Sequence, residues 1–362
     1  MKIIIDIVST KIGGGLDYIL NLLNVLDTEK HKFDKIFLFV NSEIKHLVPK
    51  KKFIKLITIK NNDYLWFIKK NILIRSFIFK KKIDLLFVPS AINFIYNSKT
   101  VVMSQTLLPF RFDQIIRYFP YIFFYKLILL RLFQIISLNN SNGVIFLNDF
   151  AKNHISKFTN IKDSTIIPLG VGNEKFIKLK EKVCNNLNRI PINIIYISEV
   201  TNYKNQYDVI NELKNSNIDF VIYFVGKIFK PYFNKINKLN FSNKKFKFTG
   251  NLTSDETIDL LKKSDIFLFA SSVENFPVSI LEGLVNEKYI ISTEAEPVKT
   301  MLNNHASYFS FKNPGELELK INEAINLKMK KKNFSYSLNN FNYDYIAKRT
   351  FKYFNYLTNI SK

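Results

Sequence analysis

Short apolar runs recur along the chain, and between them apolar side chains return at helical spacing. The runs are Ile3–Val8, Lys35–Val40, Leu85–Val88, Val101–Ser104 and Gly143–Leu147, then Asn193–Ile197, Phe220–Val225, Phe246–Thr249, Ile266–Ala270 and Tyr289–Ser292. They are continuous rather than alternating, as strands covered on both sides are. Strands alternating with helices predict an α/β chain with two parallel sheets wrapped by helices, each a Rossmann-like domain. The break is expected in Pro168–Pro191, where glycine, proline and charge interrupt the apolar pattern. The expected domains are residues 1–172, 173–341 and a C-terminal segment, 342–362, whose amphipathic, aromatic NYDYIAKRTFKYFNY predicts a helix packing back across the junction.

One stretch carries paired acids. In SSVENFPVSILEGL, Ser271–Leu284, Glu274 and Glu282 stand with seven residues between them around a Phe-Pro step, after the apolar run that ends at Ala270. Proline suits a helix's first turn, so the helix is expected to begin near Pro277, with Glu274 in the preceding loop. At 100° per residue Val278, Ile280, Leu281, Leu284 and Val285 fill one arc, with Glu282 at its edge, half-sheltered. Glu274 then stands at the carboxyl end of a strand, where open α/β sheets bind ligands. Two solvated surface acids would satisfy the same spacing.

Two further places suit an anion. Gly13, Gly14 and Gly15 follow the first run and precede Leu16, Ile19, Leu20 and Leu23, a glycine turn into a helix, though the later glycine of a dinucleotide fingerprint is missing. Lys204 and Asn205, in SEVTNYKNQYDVINEL, fall where a helix begins after Asn193–Ile197, and an ammonium there suits a diphosphate. Glu199 lies close by in sequence, to oppose an anion or to pair with Lys204. A tight turn and a surface lysine are the alternatives.

Composition narrows the chemistry. A single cysteine, Cys184, excludes an intrachain disulfide and a cysteine metal cluster, and His31, His46, His154 and His305 lack ligand spacing. No metal and no cofactor are expected, and a reducing cytoplasm is the expected home. The N-terminal run is short and interrupted by Asp6, which reads as a strand rather than a secretory signal. Lys126 and Arg131 interrupt the most apolar stretch, Tyr118–Leu138, so no membrane-spanning segment is expected.

The net charge of +23 is uneven: residues 1–172 hold 25 Lys/Arg against 11 Asp/Glu, and the remainder 28 against 19. Residues 45–82 carry 12 basic side chains and one acid, interleaved with Trp66, Phe67, Phe77 and Phe79. That mixture suits an anionic membrane surface. Nucleic acid is the other polyanion to weigh, and a compositional bias toward Lys, Asn and Ile is a third explanation. The stretch Phe110–Ser137 is apolar on nearly every face, as a core helix or an interfacial one would be.

Taken in order, the glycine turn at 13–15, LLPF at 107–110, IIPLGV at 166–171, YISEVTNYKN at 196–205, FTGNLTSDE at 248–256 and ENFPVSILE at 274–282 resemble the retaining, nucleotide-sugar-dependent glycosyltransferases of the group-one, family-four type. The last is the E-x7-E element, the most specific of these signals. The resemblance implies GT-B architecture, with two Rossmann-like domains facing across a cleft and a C-terminal crossover helix. It implies that Glu274 contacts hydroxyls of the donor sugar, Glu282 the ribose, and backbone N–H groups around Phe276, Pro277 and Val278 the diphosphate. Lys204 would neutralise the leaving phosphate, with Asn205 beside it, and Thr249, Gly250 and Asn251 would line the base. Gly14 and Gly15 would serve the donor side.

The chain departs from the family pattern in having Ser198 and Glu199 where glycine and arginine are common. It also lacks the acceptor-side histidine, for which Gln105 and Thr106 in MSQTLLPF are the candidates. The implied activity is transfer of a hexose or N-acetylhexosamine to a saccharide acceptor, lipid-linked, in lipopolysaccharide, O-antigen or capsule synthesis. The implied site is the inner face of the cytoplasmic membrane, held peripherally, with no nucleic-acid partner. A sugar-nucleotide epimerase of the same fold and a non-enzymatic polyanion-binding protein are the competing functions.

Overall fold

The computed structural model describes residues 1–10, 14–60, 66–96, 98–181, 190–326 and 338–359. Cys184, part of the Pro168–Pro191 stretch, and Gly13 lie outside the described residues. The chain forms two compact units. One comprises Met1–Phe110, Tyr125–Asn173 and Asn339–Lys362; the other comprises Arg111–Phe124 and Glu174–Leu338. Arg111–Phe124 thus joins the second unit although chain order places it between two stretches of the first.

The first unit is built on β1 (Lys2–Asp6), β2 (Lys35–Asn41), β3 (Ile54–Ile59), β4 (Leu85–Val88), β5 (Lys99–Met103), β6 (Gly143–Phe146) and β7 (Ser164–Ile166). Their order is β3-β2-β1-β4-β5-β6-β7, with every pairing parallel. Ile3, Ile4, Ile5, Phe87, Val101 and Val144 are fully buried, as a sheet covered on both faces requires. The second unit holds β8 (Ile192–Ile197), β9 (Phe220–Val225), β10 (Phe246–Gly250), β11 (Ile266–Phe269), β12 (Tyr289–Thr293) and β13 (Ala306–Phe309), ordered β10-β9-β8-β11-β12-β13 and again parallel. Each apolar run read as a strand is one. In each sheet the chain steps outward from its first strand and then restarts on that strand's other side, which creates a switch point between β1 and β4 and another between β8 and β11.

The C-terminal helix, Tyr343–Asn359, packs on the first unit. Phe351 meets Phe33 at 5.0 Å between ring centres, Phe354 meets Phe87 at 5.1 Å, and Thr350 hydrogen-bonds Tyr18. The chain approaches that helix through Phe341, whose carbonyl accepts from Val171 N at 3.2 Å beside Gly170.

The helix Ile122–Asn140, which overlaps the stretch Phe110–Ser137 read as a core or interfacial helix, is not a core helix. By length and composition alone it is long and apolar enough to cross a membrane despite its two cations, and it is mostly not covered. Its buried side is mixed, with Leu127 and Leu138 beside two polar residues, and its outer face is largely apolar. Gln134 and Ser137 are 2% and 0% exposed, whereas Tyr125, Leu129 and Leu132 are 56%, 50% and 53% exposed. Ser137 Oγ accepts from Asn93 N, which ties the buried side of the helix to its own unit, and Ser141 Oγ donates to the Ser137 carbonyl within the helix end.

Candidate active site

The switch point of the second sheet brings two distant segments together. Beyond β8 comes the turn Asn202–Lys204 and then the helix Gln206–Leu213, and beyond β11 comes the loop that holds Glu274. Lys204 Nζ donates to Glu274 Oε1, and both side chains are nearly buried. The ammonium also stands 5.0 Å from the Tyr203 ring centre and 5.6 Å from that of Phe269, over faces that favour a cation. Burial weakens this ammonium, but Glu274, Tyr196 and Glu199 outweigh that penalty and hold its pKa above the ordinary lysine value. Lys204 is therefore a cation throughout the neutral range. Burial, reinforced by Glu274, drives the Tyr203 hydroxyl well above its usual value and keeps it neutral.

Asn205 locks the two strand ends together. Its backbone is left-handed at φ 57°, a conformation asparagine tolerates, and its Nδ2 donates to the Ala270 carbonyl at 2.8 Å and to Ser272 Oγ at 2.6 Å. Its Oδ1 accepts from Arg117 Nη2 at 2.9 Å, while Arg117 Nη1 donates to Ser272 Oγ at 3.3 Å. Tyr118 and Thr201 hydroxyls meet at 2.7 Å, and Asn202 Nδ2 donates to the Arg117 carbonyl, so the 111–124 segment is stitched to this loop. Arg117 is thus a second cation at the switch point, 88 residues away in sequence from Asn205. No local motif flags it. Glu199, which occupies the position where an arginine is common, has an exposed side chain, and the loop uses its carbonyl to accept from Gln206 Nε2.

The helix carrying the second acid runs Val278–Val285, with Pro277 as its cap and Glu274 in the loop before it. Phe276 and Val278 are half-buried and Pro277 is buried. Glu282 is more enclosed than its place at the edge of the apolar arc suggests, at 6% exposure, because Gly283 lets the helix pack directly against the Phe267 ring. Its Oε1 accepts from Lys175 Nζ at 2.5 Å. Lys175 lies on the helix Asn173–Lys180, inside the stretch read from sequence as interdomain linker. That helix is held to the second unit by Lys178–Asp255 and by Asn286 Nδ2 on the Leu179 carbonyl as well.

Thr249 and Gly250 end the edge strand β10, and Asn251 follows, exposed. Gly250 has φ +70° and open space where a side chain would project. Its carbonyl accepts from Gly226 N at 2.9 Å, and a Cβ on Gly226, at φ +146°, would fall 2.3 Å from the Ser198 carbonyl. Only glycine at 226 allows the ends of β8, β9 and β10 to come this close. Thr253 and Glu256 form a reciprocal cap on the next helix, which fixes the turn through Asn251.

In the first unit, Gly14 opens the helix Gly14–Val25 with open space beside it, and Gly15 abuts the Gln105 side chain, so these candidates do lie together. Gln105 Nε2 donates to Met103 Sδ, and Thr106 is half-buried nearby in sequence. A pair that sequence reading missed stands at the end of β1: Asp6 Oδ2 receives Lys70 Nζ at 2.5 Å, both side chains buried. The structure pairs Lys204 with Glu274 and ties the adjacent Asn205 to Ala270 and Ser272 of the segment leading to Glu274. Glu282 is held separately by Lys175, and Thr249–Asn251 lie two strands away from β8. No group of three or more His, Cys, Asp or Glu side chains is placed to hold a metal among the described residues. The arrangement offers a buried permanent cation and two carboxylates already committed to cations, at the sheet end where α/β folds bind ligands.

Residues 178–340 match the family model described as glycosyl transferases group 1, a match to just under half of the chain. No curated protein matches the chain by sequence. Solved structures match along its whole length at low identity. Sucrose-phosphate synthase from Thermosynechococcus elongatus superposes with a TM-score of 0.77 at 10% identity, covering 99% of each chain. HepE of Anabaena, solved with UDP-glucose, gives 0.70 at 16% identity over 98% of this chain and all of its own. WaaG, a glycosyltransferase involved in lipopolysaccharide biosynthesis, gives 0.67 at 11% identity over 99% of each.

Proposed function

We propose that this chain, whose residues 178–340 match the group 1 glycosyl transferases and whose fold is that of GT-B glycosyltransferases, transfers a hexose or N-acetylhexosamine, with retention, from a nucleotide-sugar to a lipid-linked saccharide of surface-polysaccharide type. The observation that carries the reading is the buried Lys204–Glu274 pair at the β8/β11 switch point, one loop before the helix that carries Glu282. The donor supported by the HepE complex is a uridine diphosphate sugar. The acceptor class is supported by the likeness to WaaG.

In the proposed reaction the bond between the sugar's anomeric carbon and the diphosphate oxygen breaks, and the electron pair leaves with the phosphate. The acceptor hydroxyl oxygen bonds to that carbon on the same face, and its proton passes to the leaving phosphate. Positive charge develops on the sugar and negative charge on the diphosphate, so preorganised charges contribute most of the stabilisation. Lys204 answers the diphosphate, with Arg117 adding a second cation near Asn205 where Glu199 supplies none. Glu274 accepts from donor sugar hydroxyls, and Glu282 accepts from the ribose once Lys175 yields one of its contacts. Backbone N–H groups at the start of the Val278–Val285 helix meet the diphosphate, Thr249–Asn251 border the base, and Gln105 and Thr106 stand on the acceptor side. Charge neutralisation by Lys204 needs no metal.

A thermal-shift titration with UDP, GDP, CDP, ADP and dTDP at fixed ionic strength tests this. A nucleotide at about 100 times its dissociation constant stabilises the native state by roughly 2.7 kcal/mol, a rise of a few degrees in the midpoint. The expected result is a shift with UDP that Glu282→Ala abolishes. A flat response to all five overturns the reading.

A further inference from the structure

We propose that the first unit docks on an anionic lipid bilayer through the exposed faces of two neighbouring helices, Trp66–Lys81 and Ile122–Asn140. The inference goes beyond the proposed transfer reaction, because it rests on a surface remote in sequence from Lys204, Glu274 and Glu282.

Three observations carry it. The first is the outer face of Ile122–Asn140: Tyr125, Leu129, Leu132, Phe133 and Ile136 are exposed together, while Leu127, Gln134, Ser137 and Leu138 are buried. A water-facing helix in a globular fold carries polar residues on its outer face instead. An apolar outer face is stable where the solvent is lipid, and exposed apolar patches of this kind mark interaction surfaces.

The second is continuity between the helices. Phe94 stands between them, its ring centre 5.8 Å from Phe67 and 5.5 Å from Phe133, and Arg75 Nη2 donates to the Phe94 carbonyl at 3.1 Å. Trp66–Lys81 exposes Ile68, Ile72 and Phe79, three turns of apolar contact beside the first face. The two helices together therefore present a broad apolar surface rather than a single stripe.

The third is charge. Lys69, Arg75, Lys80 and Lys126 are exposed on these helices, and neither helix contains an acidic residue; none occurs between Asp63 and Asp84 or between Asp113 and Asp149. Long basic side chains can reach headgroup phosphates while rings and aliphatic groups enter the interface. The same charge opposes a second copy of this chain as the occupant, since two such faces repel. It does not favour nucleic acid as strongly, because a phosphate backbone leaves the aliphatic face unmatched. The inward residues Leu127, Gln134, Ser137 and Leu138 are buried and Ser137 Oγ accepts from Asn93 N, so this side stays on the unit and the proposed docking is along the bilayer instead of across it.

Trp66, the only tryptophan, opens the first of these helices and is a built-in probe. The full chain is mixed with vesicles of phosphatidylcholine alone or mixed with phosphatidylglycerol, and binding is read by co-sedimentation and by quenching of Trp66 with bromine-labelled lipid. The expected result is binding to the anionic vesicles with quenching. The triple variant Leu129→Ser, Leu132→Ser, Ile136→Ser is expected to lose about tenfold or more in partitioning, and Lys69→Gln, Arg75→Gln, Lys80→Gln and Lys126→Gln together remove the preference for phosphatidylglycerol. All seven positions are on the outside, so an unchanged melting midpoint and an unchanged nucleotide shift separate this result from misfolding and from failure at the donor site. Three outcomes overturn the proposal: wild-type protein left in the supernatant, binding indifferent to the triple variant, or a wild-type dimer that the triple variant dissolves. Salt-sensitive affinity for DNA or RNA without vesicle binding overturns it in favour of nucleic acid.

Discussion

Two cations show how much a single side chain carries here. Lys70 is buried on Asp6 at the end of β1, and truncating it strands a carboxylate without water. Lys70→Ala is expected to cost about 3–5 kcal/mol, read from urea unfolding, whereas Lys70→Met combined with Asp6→Leu recovers most of that loss. If the double variant is no better than the single one, the pair is not the cause. Arg117 differs, because it is partly exposed and braces other groups. Removing it deprives the buried Asn205 Oδ1 of its donor, so Arg117→Ala is expected to destabilise the fold by roughly 1–3 kcal/mol. The same denaturation midpoint checks it, with Arg117→Lys intermediate since a point charge cannot span Asn205 and Ser272 as a fork does.

At the scale of elements, what was legible in the sequence depended on position in the sheet. Central strands such as Leu85–Val88 and Phe220–Val225 are buried on both faces and read as unbroken apolar runs. The strands the runs did not reveal, β3, β7 and β13, are all at sheet edges. An edge strand pairs on one side only and tolerates Lys55 in Ile54–Ile59 or a length of three residues in Ser164–Ile166. The helix Ile122–Asn140 was ambiguous for a related reason, since apolar residues all round say that something apolar covers it without saying what. The C-terminal helix was legible from its aromatic period, but its tether was not. A Cβ on Gly170 would meet the Phe341 carbonyl at 2.2 Å and Ile346 Cδ1 at 2.8 Å. Gly170→Ala is therefore expected to push this segment outward at a cost of about 1–3 kcal/mol. Faster amide exchange confined to Tyr343–Asn359 and its partners is the signature that checks it; uniform loss across both units would count against it.

For the whole molecule, the E-x7-E stretch was readable because its parts are local: a strand end, a loop acid and, eight residues on, an acid in the helix that follows. Its partners were not. Lys175 reaches Glu282 across 107 residues and Arg117 reaches Asn205 across 88, and only the order of strands in the sheet brings such distances to hydrogen-bond length. The two units themselves were foreseeable from the repeated strand–helix alternation, while the transfer of Arg111–Phe124 to the second unit was not, since that segment has the same apolar character as the helix that follows it. The first unit is discontinuous in sequence, and its last piece, Tyr343–Asn359, closes over Phe33 and Phe87, which are translated early. During synthesis those rings stay uncovered until residue 359 has left the ribosome, by which time every segment of the second unit has already emerged. Assembly order on the ribosome therefore runs against chain order, and it is the half made first that stands open to chaperones and to aggregation for the longest time.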